Sequence, residues 1–137
     1  MRARRPADAE LLDAARRAGK HAWAPYSGFK VGAALRCADG TVVPGCNVEN
    51  ASFGLTICAE RAALARAVSE GKTAFTAIAV VGHGRRGRHL RPCGACRQVL
   101  AEFGDLDVLC EDRGFRLSDL LPETFRFRPR RSGRRPR

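Results

Sequence analysis

The chain has 137 residues, 45% of them hydrophobic, which indicates one domain with a core that needs no disulfides. No apolar run approaches the roughly 20 residues that span a bilayer, and no apolar stretch follows the basic N-terminus as in a secretory signal. We therefore expect neither a membrane protein nor a secreted protein. A cytoplasmic location is expected instead. The formal net charge of +11 suggests a nucleic-acid partner, but ten of the arginines responsible lie in residues 1–5 and 126–137, which leaves the body nearly neutral.

The first half of the chain alternates helical and strand patterns. In order, it predicts a helix over residues 8–22, a loop over 24–29, strands over 31–37 and 41–46, and a polar loop over 47–51. Asp8 is expected to cap the helix, and Pro25 follows its end. Asp39-Gly40 is a hairpin signal between the two strands.

The second half repeats strand and helix patterns. It predicts a helix over 57–70, a strand over 75–81, a basic loop over 82–91, a helix over 92–104, strands over 106–110 and 115–117, and a short helix over 118–121. Strands that alternate with helices predict an α/β fold, a three-layer α/β/α sandwich with a mixed five-stranded sheet and helices on both faces. We expect one domain over residues 1–125 and a disordered basic tail over 126–137, which leaves a weak RNA or phosphate contact open.

Two short cysteine motifs stand at the starts of predicted helices. Cys58-Ala59-Glu60 begins one, and Pro92-Cys93-Gly94-Ala95-Cys96 begins another. Unpaired N–H groups and the helix dipole favour thiolates at such positions. Three sulfur ligands with one open position are the arrangement of a catalytic zinc ion, so Cys58, Cys93 and Cys96 are the predicted Zn²⁺ ligands, with one ion per subunit.

The neighbours of these cysteines fit hydrolytic chemistry. Glu60 can take a proton from water activated at a metal and deliver it to a substrate, which is typically worth roughly 10² to 10⁴ in rate. Zinc with three thiolates carries a net negative charge, which disfavours the ionisation of bound water. Arg61 and Arg97, each beside a proposed ligand or catalytic residue, are expected to donate to the sulfurs and offset that charge.

Other uses of the cysteines stay open at this stage. Six cysteines could form three disulfides, but nothing marks an oxidising compartment. Cys93 and Cys96 alone could be a thioredoxin-like redox pair. A structural four-cysteine zinc site could recruit one of three further cysteines, although these lie in apolar strand patterns typical of small core residues: Cys37, Cys46 and Cys110.

Five segments in order carry a resemblance to a known family. They are Ala24-Pro25-Tyr26-Ser27 with Phe29-x-Val31-Gly32-Ala33-Ala34, Gly45-Cys46-Asn47-Val48-Glu49-Asn50, Cys58-Ala59-Glu60-Arg61, Pro92-Cys93-Gly94-Ala95-Cys96-Arg97-Gln98, and Leu120-Leu121-Pro122-x-x-Phe125. A Cys-x-Glu element followed by Pro-Cys-x-x-Cys is typical of zinc nucleobase deaminases. From about Leu11 to Phe125 the chain resembles the small homotetrameric zinc-dependent cytidine deaminases.

The resemblance implies further roles. Asn47 and Glu49 match residues that bind ribose hydroxyls, and Phe29 matches an aromatic wall of the nucleoside pocket. The backbone of Ala59 and the side chain of Glu60 match groups that contact the base. Three residues match positions that reach the pocket of a neighbouring subunit in a homotetramer: Ala51, Phe53 and Phe125. The chain departs from the family at Phe53, where tyrosine is usual, and in its basic loop and tail.

The expected activity is hydrolysis of cytidine or deoxycytidine to the uridine product and ammonia, a step of pyrimidine salvage. One alternative is a deaminase of a modified cytosine nucleoside, such as an aminoacyl-nucleoside antibiotic, although Asn47 and Glu49 favour a plain ribose. Another is a zinc-stabilised RNA-binding module that uses the arginine tail. The expected partner is a small nucleoside, with no membrane; the neutral body disfavours nucleic acid.

Overall fold

The computed structural model describes residues 3–127, and these form one mixed sheet between two helical layers. The helices are α1 (Pro6–Gly19), α2 (Ala59–Ser69), α3 (Gly94–Ala101) and α4 (Leu117–Leu120), and the strands are β1 (Val31–Cys37), β2 (Val42–Cys46), β3 (Phe75–Gly82), β4 (Asp107–Leu109) and β5 (Gly114–Arg116). Short 3₁₀ helices lie at Phe53–Leu55 and Arg85–His89. The predicted tail lies largely outside the described residues.

The strand order of the sheet is β2-β1-β3-β4-β5. Strand β1 is antiparallel to both β2 and β3, β3 is parallel to β4, and β4 is antiparallel to β5. The continuous apolar pattern of β3 is explained by its central position, where both faces are covered. The prediction of a mixed five-stranded sheet is confirmed.

The two faces of the sheet bury separate apolar clusters. Helix α1 packs Leu11, Leu12 and Ala15 against one face. Helices α2 and α3 pack against the other face, where Ile78, Val80 and the small residues of α2 are buried. The predicted three-layer arrangement is therefore confirmed. Within residues 3–127, every helix is too short or too polar to cross a lipid bilayer.

The ends of the helices differ from the predictions for identifiable reasons. Helix α1 begins at Pro6, because Arg5 is the cap and Asp8 lies in the first turn, where its carboxylate accepts a hydrogen bond from the Arg5 N–H at 3.0 Å. Asp8 is fully buried, and Arg36 donates to it at 3.3 Å. The prediction that Asp8 is the N-cap was wrong: from inside the first turn, its carboxylate accepts a hydrogen bond from the N–H of the N-cap residue.

The helices that carry the cysteines start later than predicted. Cys58 is the N-cap of α2 and Cys93 is the N-cap of α3, each with extended backbone angles. Helix α4, in contrast, starts at Leu117, one residue earlier than predicted, and its N-cap is Arg116. The sulfurs of Cys58 and Cys93 therefore stand at helix tips, where the first N–H groups are not paired within the helix.

Candidate active site

Three sulfur atoms meet where the tips of α2 and α3 converge. The Sγ atoms of Cys58, Cys93 and Cys96 all lie within 4.8 Å of one another, and those of Cys58 and Cys93 are 3.8 Å apart. Zinc–sulfur bonds of about 2.3 Å in a tetrahedron place sulfurs about 3.8 Å apart. These residues could therefore hold a zinc ion with little movement.

The surroundings favour anionic sulfur. The pKa of Cys58 is lowered to about 5, first because the Cys96 thiol donates a hydrogen bond to it and also because Arg61 and Cys93 donate to it, against the opposing effect of burial. The pKa of Cys96 is raised, because its proton is held by the Cys58 sulfur and because it is buried. A cation among the sulfurs would relieve this competition for one proton and favour thiolates at all three.

The two arginines next to the cysteine motifs play different parts. Arg61 donates from Nη2 to the Cys58 sulfur at 3.4 Å, as predicted. Arg97 does not follow the prediction: its Nε donates to the Pro92 carbonyl at 2.7 Å and its Nη1 to the Leu120 carbonyl at 2.8 Å. Arg97 therefore holds the backbone that precedes Cys93, instead of donating to a sulfur.

Glu60 lies in the first turn of α2 with only 4% of its surface exposed. Burial raises the pKa of its carboxyl above the usual value, and the negative charge of Cys58 adds to the rise. A raised pKa makes the carboxyl a better proton acceptor when it is ionised, as a group that takes and returns a proton requires. Ala59, beside it, is fully buried, so its backbone is held in place.

The predicted pocket residues Phe29 and Asn47 are joined to each other. Asn47 is buried, its Oδ1 accepts a hydrogen bond from Val31 N–H at 2.8 Å, and its Nδ2 donates to the Phe29 carbonyl at 2.9 Å. These bonds fix the amide at the start of β1. An amide has two donor hydrogens and two acceptor positions, so one of each is left for a ligand.

Glu49 is held by the loop before β1. Its Oε1 accepts hydrogen bonds from the N–H groups of Tyr26 and Ser27 at 3.0 and 3.1 Å, and its Oε2 accepts one from the Ser27 hydroxyl. These bonds lower the pKa of Glu49, with the Ser27 hydroxyl as the largest cause. The carboxylate is therefore kept ionised and oriented, although its part in binding was predicted from the family resemblance alone.

The residues predicted to reach a neighbouring subunit lie on the surface of the single chain. Phe53 is 75% exposed and Phe125 is 70% exposed, and Ala51 is exposed as well. The ring of Phe53 stacks edge-on against Tyr26 with 5.9 Å between centroids. Phe125 is held by its backbone, which exchanges two hydrogen bonds with the Gln98 side chain at 2.9 and 3.2 Å. Both rings are therefore largely open to solvent in the single chain.

Two contact residues were missed as functional candidates by the sequence reasoning. Ser27 orients Glu49, and Gln98 anchors Phe125. Both lie inside the segments that carry the family resemblance, and this position was the available indication of a functional role. Their hydrogen-bond partners, however, are more than 20 residues away along the chain. Only the fold could show those contacts.

The other cysteines do not join the candidate metal site. Cys37 and Cys110 are buried in the apolar cluster beneath α2 and α3. Among residues 3–127, no fourth His, Cys, Asp or Glu side chain belongs to the group that Cys58, Cys93 and Cys96 form. The arrangement thus matches a site with one open position rather than a closed structural site.

Fold and site together define a zinc-binding deaminase. Residues 5–111 match the model of a family described as the cytidine and deoxycytidylate deaminase zinc-binding region. The chain therefore belongs to this family.

Curated relatives agree with that assignment. A probable cytidine deaminase of Dictyostelium discoideum is 52% identical over 101 residues, which are 74% of this chain and 68% of the relative. The cytidine deaminase of Halalkalibacterium halodurans is 47% identical over 122 residues, 84% of this chain and 91% of the relative. The crystal structure of cytidine deaminase from Mycobacterium tuberculosis is similar with a TM-score of 0.80 and 46% identity, covering 87% of this chain and 97% of that chain.

Proposed function

We propose that this chain hydrolyses cytidine, deoxycytidine or both to the corresponding uridine nucleoside and ammonia, as an enzyme of pyrimidine salvage. The observation that carries the proposal is the buried carboxyl of Glu60 on the same helix tip as Cys58, beside the group of three sulfurs. Family membership and identities near 50% to cytidine deaminases support this substrate over a modified nucleoside.

The proton transfers are assigned to Glu60. When zinc is bound, it supplies a Lewis acid that makes water nucleophilic at neutral pH. Glu60 accepts one proton of the water that adds to ring carbon 4 of cytosine, and passes a proton to ring nitrogen 3. It then delivers the second proton of that water to the departing amine, so that water and cytidine are converted to uridine and ammonia.

The remaining residues hold the nucleoside. Asn47 and Glu49 contact the ribose hydroxyls, Phe29 forms a wall of the pocket, and the Ala59 backbone with Glu60 contacts the base. The hydrogen bonds that fix Asn47 and Glu49 support this assignment, because a preorganised amide and carboxylate lose little freedom on binding a sugar. Arg61 offsets the negative charge of the sulfurs and Arg97 supports their loop.

The active site is completed by other copies of the chain in a homotetramer. Ala51, Phe53 and Phe125 are the residues assigned to a neighbour's pocket. The exposure of Phe53 and Phe125 in the single chain supports this, because a neighbouring subunit would cover aromatic rings that are otherwise open to water. We also infer one deaminase domain over residues 1–125 and a cytoplasmic location, where a reducing environment keeps cysteines as thiols.

The direct test is to add cytidine to the purified protein and follow the ultraviolet change on conversion to uridine, with zinc measured on the same sample. Glu60→Ala is expected to keep its zinc and lose turnover by at least about 10², the typical contribution of general acid–base help. Glu70→Ala, which removes a carboxylate from the exposed end of the same helix, is the control and should keep both.

A variant that lacks a zinc ligand should behave differently from one that lacks the Glu60 carboxyl. Cys93→Ala is expected to lose zinc and turnover together, because three-point binding becomes two-point. Activity of Glu60→Ala near that of the unaltered protein would contradict its role. RNA binding that survives Glu60→Ala, without any ammonia release from cytidine, would support the zinc-stabilised RNA-binding module instead.

A further inference from the structure

A basic depression lies on the α1 side of the loop that joins β3 to α3. It has a volume of about 640 Å³, within the range of small-molecule sites, and we call it the basic basin. Its charged lining comes from α1, the basic loop and the segment after β4: Arg16, His83, Arg85, Arg88 and Glu111. The cysteines and Glu60 do not line it, so it is separate from the candidate active site.

The basic residues of this loop lie on different faces of a short helix. Residues Arg85–His89 form a 3₁₀ helix, in which side chains three residues apart lie one above the other. Arg85 and Arg88 therefore share one face, which is the face that lines the basin. Gly87 lies on the face that packs on β3, where a Cβ would be 1.8 Å from the Gly82 carbonyl oxygen.

The third face of this helix points elsewhere. It carries Arg86 and His89, which do not line the basin. His89 approaches Asp112, with 3.5 Å between Nδ1 and Oδ2. Arg91, the next arginine along the loop, donates both of its terminal nitrogens to Asp112 at 2.9 and 2.7 Å. Asp112 therefore pairs with His89 and Arg91, and not with the arginines that line the basin.

The charge inside the basin is not balanced. Its carboxylate, Glu111, accepts a hydrogen bond from Arg16 at 3.2 Å, and Arg16 also pairs with Asp13 at 2.6 Å. Among residues 3–127, neither Arg85 nor Arg88 has an acidic partner within 4.0 Å. Two guanidinium groups on one face of a helix are therefore free to meet an incoming anion.

We propose that the basic basin binds a small anion with adjacent phosphate groups, of the class of nucleoside diphosphates and triphosphates. Guanidinium groups donate paired, parallel N–H bonds that match phosphate oxygens, and two of them stacked three residues apart match two neighbouring phosphates. A concave site of this volume accommodates a nucleotide, whereas a polynucleotide needs a basic track along the surface, and the body of this chain is nearly neutral. This site is independent of the proposed deaminase activity.

The test is isothermal titration of the full-length protein with inorganic pyrophosphate, adenosine triphosphate and a short RNA oligonucleotide, each in its own experiment at low and at moderate salt. Arg85→Ala and Arg88→Ala are expected to weaken pyrophosphate and nucleotide binding at least about tenfold, the effect of losing one charged hydrogen-bonding group. Arg86→Ala is the matched control, because it removes the same charge from the same helix but from a face outside the basin, and it should leave the affinity nearly unchanged. Cytidine turnover should be unchanged in all three variants.

Three results would overturn the proposal. The first is no binding of pyrophosphate or nucleotide to the unaltered protein at millimolar ligand. The second is an equal loss of affinity in Arg86→Ala and Arg85→Ala, which would mean general attraction to a basic loop. The third is RNA binding tighter than nucleotide binding, which would identify a nucleic-acid surface. Tighter binding of the nucleotide than of pyrophosphate would support the proposal further, since the base and sugar would then also contact the basin.

Discussion

The Ser27 hydroxyl connects two parts of the proposed nucleoside pocket. It donates to Glu49 Oε2 and accepts a hydrogen bond from the Phe29 N–H at 2.9 Å. One small side chain thus links the carboxylate assigned to the ribose with the backbone of the aromatic wall. The hydrogen bonds that orient the Glu49 carboxylate come from the loop before β1, so its orientation depends on that loop. Ser27 is therefore a positioning residue for Glu49.

Replacement of this hydroxyl is expected to weaken substrate binding and spare the chemistry. In Ser27→Ala the KM for cytidine should rise about tenfold, equal to about 1.4 kcal/mol for a lost hydrogen bond to a charged group, with kcat nearly unchanged. Steady-state kinetics on cytidine measures the split between KM and kcat. Ser27→Thr, which keeps a hydroxyl, should restore most of the affinity.

A substrate without the 2′ and 3′ hydroxyls separates the positioning of Glu49 from general damage to the pocket. With 2′,3′-dideoxycytidine, Ser27→Ala and the unaltered protein should have similar KM values, because the group that Glu49 contacts is missing. A difference of similar size that persists with this substrate would show that Ser27 supports the fold of the loop and not the contact with the sugar.

At the scale of elements, the sequence predicted the residues at each helix start, but it did not predict which distant groups their side chains contact. The cysteine spacing and Glu60 were sufficient to place the candidate metal and acid at helix starts, because each motif is short and lies within a few residues of one helix start. The range of β1 was also predicted without error, because its apolar run ends at a clear turn signal. Arg97 was misassigned, since an arginine side chain reaches several carbonyls and sequence does not say which one is near.

The close contact between α2 and β2 holds the helix tip that carries Cys58 and Glu60. A Cβ on Gly45 would lie 2.4 Å from Ala63 N and 2.7 Å from Ala59 O, so only glycine permits this approach. Gly45→Ala is expected to destabilise the protein by about 1–3 kcal/mol and to lower zinc affinity, because α2 must move away from the sheet. Urea denaturation and zinc titration, both at fixed protein concentration, measure the two effects.

Gly32 allows the same glycine-to-alanine substitution to be made on the opposite face of the sheet. Its Cβ would lie 1.8 Å from the Ala15 carbonyl oxygen of α1, on the side of the sheet away from the cysteines. Gly32→Ala should therefore destabilise the protein to a similar or greater degree while leaving the zinc affinity of the folded protein unchanged. Gly114→Ala, where the nearest atom to a Cβ is in the Leu109 side chain at 3.4 Å, is the neutral control. Equal zinc affinity in all three variants would show that the position of α2 does not tune the site.

At the scale of the whole molecule, the single chain exposes several large apolar side chains. Trp23, Phe53 and Phe125 are exposed by 62%, 75% and 70% of their area. Trp23 and Val48 lie on neighbouring segments joined by backbone bridges, so part of this surface is rigid. Periodicity in the sequence could not place these residues on a particular surface. An exposed apolar residue has the same sequence pattern whether it faces solvent or a partner subunit.

The proposed sharing of the pocket between subunits makes a specific prediction for mixed assemblies. Phe125→Ala is expected to lower kcat/KM by roughly 30-fold, about 2 kcal/mol for a buried aromatic at an interface, and Glu60→Gln should be inactive. When both variants are co-expressed and purified as mixed tetramers, about a quarter of the sites should combine an intact Glu60 with an intact Phe125 from a neighbour, which follows from random mixing in a symmetric oligomer. Cytidine turnover at low substrate should then exceed that of either variant alone.

A pocket formed within one subunit predicts the opposite result. Every subunit with an intact Glu60 would then carry its own Phe125→Ala substitution, so mixing would dilute the weak variant by half and activity would fall below that of Phe125→Ala. A mixture of Glu60→Gln with the unaltered protein provides the reference for random assembly, because half of its sites keep Glu60 and all keep Phe125. The ratio between the two mixtures measures how much of the active site is contributed across subunits, independently of the absolute rates.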